Sequence, residues 1–185
     1  MIRFALLLGL LVAVASCSSQ EPPAPRSNDR FGAPAVEAPR DIRPFATDPC
    51  SGPLTSPDWS GLGFSSEGDL RTLMVGEQSC VRQGTGNRSR VALIVVPARD
   101  VLVDTYRARQ FAIFRPTVIG GLPATFEQSS SDSLTCSTTV GTADQQGFIV
   151  NFSAYAGAGD AGTPCIGGQR IAERIVAALP PLPGK

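Results

Sequence analysis

The chain has 185 residues, and its 16 basic residues balance its 16 acidic residues. This balance gives no electrostatic basis for binding nucleic acid or an anionic lipid surface. The sequence contains no histidine, which excludes Ser-His-Asp and Cys-His catalytic arrangements and removes the usual general base and metal ligand.

The first 16 residues have the layout of an export signal. One positive charge at Arg3 precedes an apolar stretch over 4–14, and two small residues stand directly before Cys17. The apolar stretch is too short for a stable transmembrane helix. The segment Val14–Cys17 resembles the lipobox of bacterial lipoprotein precursors, in which the cysteine is acylated and becomes the first mature residue. We therefore expect residues 1–16 to be a lipoprotein signal peptide and Cys17 to be lipidated, for example with palmitate.

Residues 17–46 are rich in proline, and charged residues separate the prolines. A segment of this composition cannot bury enough apolar surface to offset the conformational entropy lost on ordering. The sequence therefore predicts a disordered tether over 17–46, a single folded domain over 47–182 and a short tail over 183–185.

A short helix is predicted near the start of this domain. Thr55 or Ser56 can cap its N-terminus, and Pro57 suits its first turn. Gly61 ends it, and residues 64–72 are predicted to form a loop.

A hairpin and a second helix come next. A strong strand signal spans 90–96, which is almost continuously apolar, and a weaker signal spans 73–80. The glycine-containing residues 83–89 form the predicted turn between them. Asp100 can cap a helix that runs from 101 to about 110.

Four strand signals follow in the second half of the chain. The first, over 111–119, is interrupted by Pro116 and therefore belongs at a sheet edge or a bend. The others lie at 120–126, 134–140 and 148–155, and they are predicted to form a meander.

The last predicted helix runs from Pro164 to about residue 179, with Thr163 as its cap. Its apolar residues recur at helical spacing: Ile171, Ala172, Ile175, Val176 and Leu179. Most connections between the strands are too short for parallel crossovers. The predicted fold class is therefore α+β, with a mainly antiparallel sheet packed by two or three helices.

Four cysteines remain beyond Cys17, namely Cys50, Cys80, Cys136 and Cys165. An even number in an exported chain predicts two disulfides. Spacing alone does not choose among the three pairings, and we predict Cys50–Cys165 between the terminal elements and Cys80–Cys136 between two strands. Zinc is the alternative, but the spacings lack a close C-x-x-C pair.

The order of these marks resembles the small actinobacterial cell-envelope lipoproteins grouped as domain of unknown function 3558. Besides the lipobox and the proline-rich spacer, the marks are Asp48-Pro49-Cys50, Leu54-Thr55, Leu62-Gly63, Cys80, Gly120-Gly121-Leu122-Pro123-Ala124, Cys136, Cys165 and Leu179-Pro180. The resemblance covers about residues 1–182 and implies an actinobacterial cell envelope and a compact fold like that of the PsbP-like group. It implies no catalytic residues. Members often carry tryptophan two residues after the strand cysteine, where this chain has Arg82.

Two patterns typical of enzymes are interpreted as structural. Residues 157–162 match G-x-G-x-x-G, but no second parallel strand follows, so we interpret them as a loop. The carboxylate pairs Asp48 with Asp58 and Glu127 with Asp132 are interpreted as solvated surface groups rather than glycosidase pairs.

These observations predict a monomeric, non-enzymatic lipoprotein on the extracytoplasmic face of the cell membrane, held there through Cys17. Its expected role is a binding or accessory module of the cell envelope, with an envelope protein or an apolar ligand as partner. The alternatives are an envelope carrier of lipid or another apolar ligand, which needs a closed apolar cavity, and a histidine-free cell-wall hydrolase that uses carboxylates. No cofactor, metal or nucleic acid is expected.

Overall fold

An antiparallel sheet forms the centre of the domain. The computed structural model describes residues 29–159 and 161–183, and within them seven strands form one sheet. The strands are β1 (Asp69–Thr72), β2 (Gln78–Gln83), β3 (Ser89–Val96), β4 (Ile113–Ile119), β5 (Leu122–Gln128), β6 (Thr135–Ala143) and β7 (Gln146–Ala154). Their order is β1-β2-β3-β7-β6-β5-β4, and all neighbours are antiparallel. Two meanders, β1–β3 and β4–β7, therefore join where β3 pairs with β7.

Three helices accompany the sheet: α1 (Ser56–Gly61), α2 (Val101–Ala108) and α3 (Pro164–Ala178). The predicted α+β class with a mainly antiparallel sheet is confirmed. Thr55 caps α1, and Asp100 caps α2 by accepting a hydrogen bond from the N–H of Val103 at 3.1 Å. Thr163 precedes α3 as predicted, but its side chain accepts no hydrogen bond from the helix.

Helix α3 covers one face of the sheet. Ile171, Ala172 and Ile175 of its predicted apolar stripe are each at most 1 % exposed. The helix approaches the sheet closely because Gly167 lacks a side chain: a Cβ there would lie 2.7 Å from the ring of Phe152 on β7. The main hydrophobic core lies between α3 and this face.

Helix α2 covers only part of the opposite face. Leu102 packs over Gly141, and Tyr106 meets Phe114 edge-on at 5.0 Å between ring centroids. The rest of this face, over β5, β6 and β7, carries no helix among the described residues. This uncovered area is where the groove described below lies.

The folded part of the chain begins earlier than predicted. Residues 29–46 belong to the predicted tether over 17–46, yet Ile42 is fully buried, and the N–H of Asp41 donates to the carbonyl of Pro180 at 3.0 Å. The tether prediction is therefore wrong for these residues, because a few apolar side chains among the prolines pack onto a core that other elements have already formed. The predicted signal peptide, Cys17 and the tether up to residue 28 lie outside the described residues.

One predicted loop contains a strand. Residues 69–72 of the predicted loop form β1, and residues 73–77 of the predicted weak strand form the turn into β2. All four residues of β1 are exposed at the sheet edge. A strand that buries neither face shows no alternation of apolar and polar residues, so the sequence carries no signal for it.

The two predicted disulfides are confirmed, but their pairing was wrong. Cys50 is bonded to Cys80, and Cys136 is bonded to Cys165, with a Cα–Cα distance of 5.0 Å in each pair. The predicted Cys80–Cys136 bond would have to join β2 to β6, which are three strand spacings apart in the sheet. That is about 14 Å, twice the reach of a disulfide.

Arg82 lies beside the first disulfide, at 3 % exposure. Its Nη1 donates to the carbonyls of Ser65 and Ser66 at 2.9 and 2.6 Å, and its Nη2 donates to the carbonyl of Cys50 at 2.9 Å. The guanidinium carbon lies 4.8 Å from the ring centroid of Trp59. Arg82 thereby holds the loop before β1 and the loop before α1 against strand β2.

No helix among the described residues is both long enough and apolar enough to cross a lipid bilayer.

Candidate functional site

A groove of about 460 Å³ lies on the uncovered part of the sheet face opposite α3. Its floor is formed by side chains from the ends of β5, β6 and β7. Phe111 and the β5–β6 loop form its rim. Five hydroxyl-bearing residues line it: Ser129, Ser133, Thr135, Ser137 and Ser153.

The strand register places a carboxyl group at one end of a polar row on this floor. Glu127 of β5 pairs with Ser137 of β6, and Ser137 pairs with Asn151 of β7. Directly paired residues project from the same face of a sheet, with Cβ atoms about 5 Å apart. Glu127, Ser137 and Asn151 therefore form a polar row across three strands.

Glu127 is only 6 % exposed. Among the described residues, no side chain or backbone group forms a hydrogen bond or an ion pair with its carboxyl group. Burial disfavours the charged form and raises the pKa of Glu127 to about 7. At neutral pH this group can therefore either donate a hydrogen bond as an acid or accept one as a carboxylate.

The remaining walls of the groove are ordered by hydrogen bonds. Thr135 Oγ1 and Ser153 Oγ lie 3.0 Å apart at one end. Gln128 Nε2 donates to the carbonyl of Ser133 at 3.3 Å and so holds the loop at the rim. Phe111 is 40 % exposed and offers an apolar surface beside these polar groups.

The predicted carboxylate pair of Glu127 and Asp132 is not brought together in the groove. Asp132 is exposed on the β5–β6 loop, where a hydrogen bond from Ser130 lowers its pKa. The interpretation of Glu127 as a solvated surface group was wrong. All seven residues of its strand are buried, and no pattern in the sequence around Glu127 indicates this.

The other carboxylates noted in the sequence have structural roles. Asp58 completes the α1 capping box with Thr55 and pairs with Arg174 at 2.5 Å. Asp48 accepts hydrogen bonds from the Ser51 hydroxyl at 2.5 Å and from the Cys50 N–H at 2.9 Å. These hydrogen bonds lower the pKa of both carboxyl groups.

The glycine-rich segment 157–162 is a loop of turns between β7 and α3, as interpreted from the sequence, and residue 160 lies outside the described residues. Among the described residues, no group of three potential metal ligands is assembled.

Replacing Glu127 with glutamine is expected to raise the free energy of unfolding at pH 8. The folded-state pKa of about 7 lies above the ordinary value of 4.5, so the folded protein loses stability as the pH rises from about 4.5 to above 7. The pKa difference corresponds to a loss of up to about 3 kcal/mol. Glutamine is uncharged and avoids this loss. The free energy of unfolding, measured with denaturant, should therefore fall less between pH 5 and pH 8 in the variant than in the wild-type protein.

Glu173→Gln provides the matched control, because Glu173 is exposed on α3. The charged groups around the groove, Arg109 over the Phe114 ring, Arg90 beside Ser153 and Asp132 on the loop, are unchanged in both variants. Equal pH dependence in Glu127→Gln and in the wild-type protein would contradict the raised pKa.

Comparison with curated proteins and with solved structures finds no match. A family model described as protein of unknown function (DUF3558) matches residues 12–178. The match spans most of the chain, including the four disulfide cysteines and every strand of the groove. The chain therefore belongs to the DUF3558 family.

Proposed function

We propose that this protein is a lipid-anchored lipoprotein on the extracytoplasmic face of the cell membrane and a non-catalytic binding module of the cell envelope. The groove at Glu127 is its binding site. The observation that carries this assignment is a buried carboxyl group that faces an open groove and has no partner among the described residues. Burial of such a group costs stability, and a ligand that pairs with it accounts for its position.

The composition of the groove supports binding rather than hydrolysis. A glycosidase of the usual kind needs two carboxyl groups on opposite sides of the bond that it cleaves. Among the described residues that line the groove, Glu127 is the only acidic one. The lining also combines hydroxyl and amide groups with the apolar side chains of Phe111 and Ile149, so the ligand we propose has polar groups as well as an apolar face, in place of the envelope protein or purely apolar ligand expected from the sequence.

The proposed anchor is supported by the lipobox at Cys17 and by the two disulfides, which are typical of exported proteins. Arg30 pairs with Asp100 at 2.9 Å, so the first described residues are attached beside the start of α2. The chain from Cys17 to residue 29 can span at most about 40 Å. In this proposal, the segment between the anchor and the domain is therefore short, and the domain stays close to the bilayer.

Cys17→Ala is expected to move the protein from the membrane fraction to the soluble fraction. Each buried methylene of an acyl chain contributes ~0.8 kcal/mol, and two or more chains hold a protein stably on a membrane. Fractionation measures the shift, and intact-mass analysis measures the acyl group on the wild-type protein. Ser18→Ala is the control and should remain acylated and membrane-bound.

Two results would count against the proposal. An unmodified Cys17 thiol, or retention of residues 1–16 in the native product, would overturn the anchor. Hydrolysis of peptidoglycan or arabinogalactan by the purified protein, abolished in Glu127→Gln, would overturn the non-catalytic assignment.

A further inference from the structure

We infer that the groove binds a hydroxyl-bearing organic cation, such as an amino sugar, whose ammonium group pairs with the carboxylate of Glu127. This inference rests on the proposed function, since it names the ligand class of the same groove.

The charge of the groove points to a cation. Glu127 is the single charged residue among the described residues that line it. The nearby Arg109 lies 5.0 Å from the ring centroid of Phe114 and 5.8 Å from that of Tyr106, outside the lining. Asp132 accepts a hydrogen bond from Ser130 on the exposed loop. Arg90 of β3 pairs with Ser153 and so lies on the same face, but it is at the far end of the groove, three strand spacings from Glu127. A cationic ligand at Glu127 would therefore meet one buried negative charge, with no cation among the described residues that line the groove.

An ammonium group fits this site better than a metal ion. Calcium takes six to eight oxygen ligands and usually several carboxylates, whereas one carboxylate lines this groove. An ammonium group has three N–H donors. The carboxylate of Glu127 and the hydroxyl of Ser137, which are direct neighbours in the row, can accept two of them, and a ligand hydroxyl group can reach the amide of Asn151 at the other end of the row.

The rest of the groove fits a ligand with hydroxyl groups. Beyond the row at Glu127, the floor continues to Thr135 and Ser153, whose hydroxyls lie 3.0 Å apart. The row from β5 to β7 spans two strand spacings, or about 10 Å, and the volume of about 460 Å³ lies within the usual range for small-ligand sites. A sugar ring can reach these hydroxyls while one of its faces packs against the exposed side of Phe111.

Glucosamine and glucose are the matched probes, because they differ by the ammonium group at one ring carbon. Titration of the full-length mature protein at pH 7, followed by NMR of the groove residues, gives both affinities. We expect glucosamine to bind at least about 10-fold more tightly than glucose. On binding, the ¹³C shift of the Glu127 carboxyl should move to the value of the ionised form.

Glu127→Gln should lose the preference for glucosamine and remain folded, whereas Glu173→Gln should keep the preference. Equal affinity for the two sugars, with shifts at the groove residues, would overturn the ammonium assignment and leave the groove as a binding site. A preference that survives in Glu127→Gln would overturn the role of Glu127. Failure of both sugars to bind would overturn this ligand class, while the anchored location is decided separately by the Cys17 experiment.

Discussion

Replacing Cys136 and Cys165 together with alanine is expected to lower the free energy of unfolding by about 4 kcal/mol. The bond closes a loop with a sequence separation of 29 residues, and its removal increases the conformational entropy of the unfolded chain by that order. Both cysteines are buried, at 0 % and 6 % exposure, and they join β6 to the first turn of α3. Guanidinium denaturation at neutral pH measures the change.

The single variant Cys165→Ala tests the pairing itself. With Cys165 absent, the structure leaves Cys136 as the free thiol and keeps the Cys50–Cys80 bond intact. Alkylation followed by peptide mapping should therefore label Cys136. Labelling of Cys50 instead would restore the pairing first expected from the sequence, and a loss of less than about 1 kcal/mol in the double variant would contradict the stabilising role.

Arg82→Ala is expected to destabilise the fold by a similar amount, about 4 kcal/mol. The substitution removes the donors to three backbone carbonyls, and hydrogen bonds to a charged group contribute roughly 1.5–3 kcal/mol each. The carbonyls belong to exposed or partly exposed residues, so water replaces part of this loss, and we expect a value below the full sum. It also removes the guanidinium from the Trp59 ring. Denaturant unfolding monitored by the fluorescence of Trp59 measures both the stability and the local change.

Arg90→Ala is the control for Arg82→Ala, because Arg90 lies on the neighbouring strand β3 with its side chain exposed. It should change the free energy of unfolding by less than about 0.5 kcal/mol. Arg82→Lys should recover only part of the loss, since one ammonium group cannot reproduce the planar fork of the guanidinium. Equal losses in Arg82→Ala and Arg90→Ala would show that the carbonyl contacts are not stabilising.

Local sequence patterns predicted the elements that bury one face or both. The predicted strand β3 and the predicted helix α3 are both confirmed, because their buried positions appear in the sequence as regularly spaced apolar residues. Strand β1 could not be predicted in this way, since all its residues are exposed. Residues 29–46 were missed for a different reason: their average composition is that of a disordered segment, and only a few side chains, such as Ile42, pack onto the core.

The disulfide pairing and the groove depend on the order of strands in the sheet. Nothing in the sequence predicts that β7 pairs with β3. This pairing puts β3 and β7 between β2, which carries Cys80, and β6, which carries Cys136. In the same way, Glu127 is buried because β5 lies between β4 and β6, while its own neighbours in sequence would suit an exposed strand equally well. The row formed by Glu127, Ser137 and Asn151 exists only once the register of three strands is known.

Each disulfide joins two cysteines that are consecutive in the mature domain. When such a chain is threaded N-terminus first into an oxidising compartment, Cys50 and Cys80 both emerge before Cys136. With Cys17 acylated as proposed, they can react only with each other. Cys136 then has Cys165 as its remaining partner. If the chain is exported as we propose, a simple oxidant acting in the order of emergence would produce the native bridges without an enzyme that reshuffles incorrect ones.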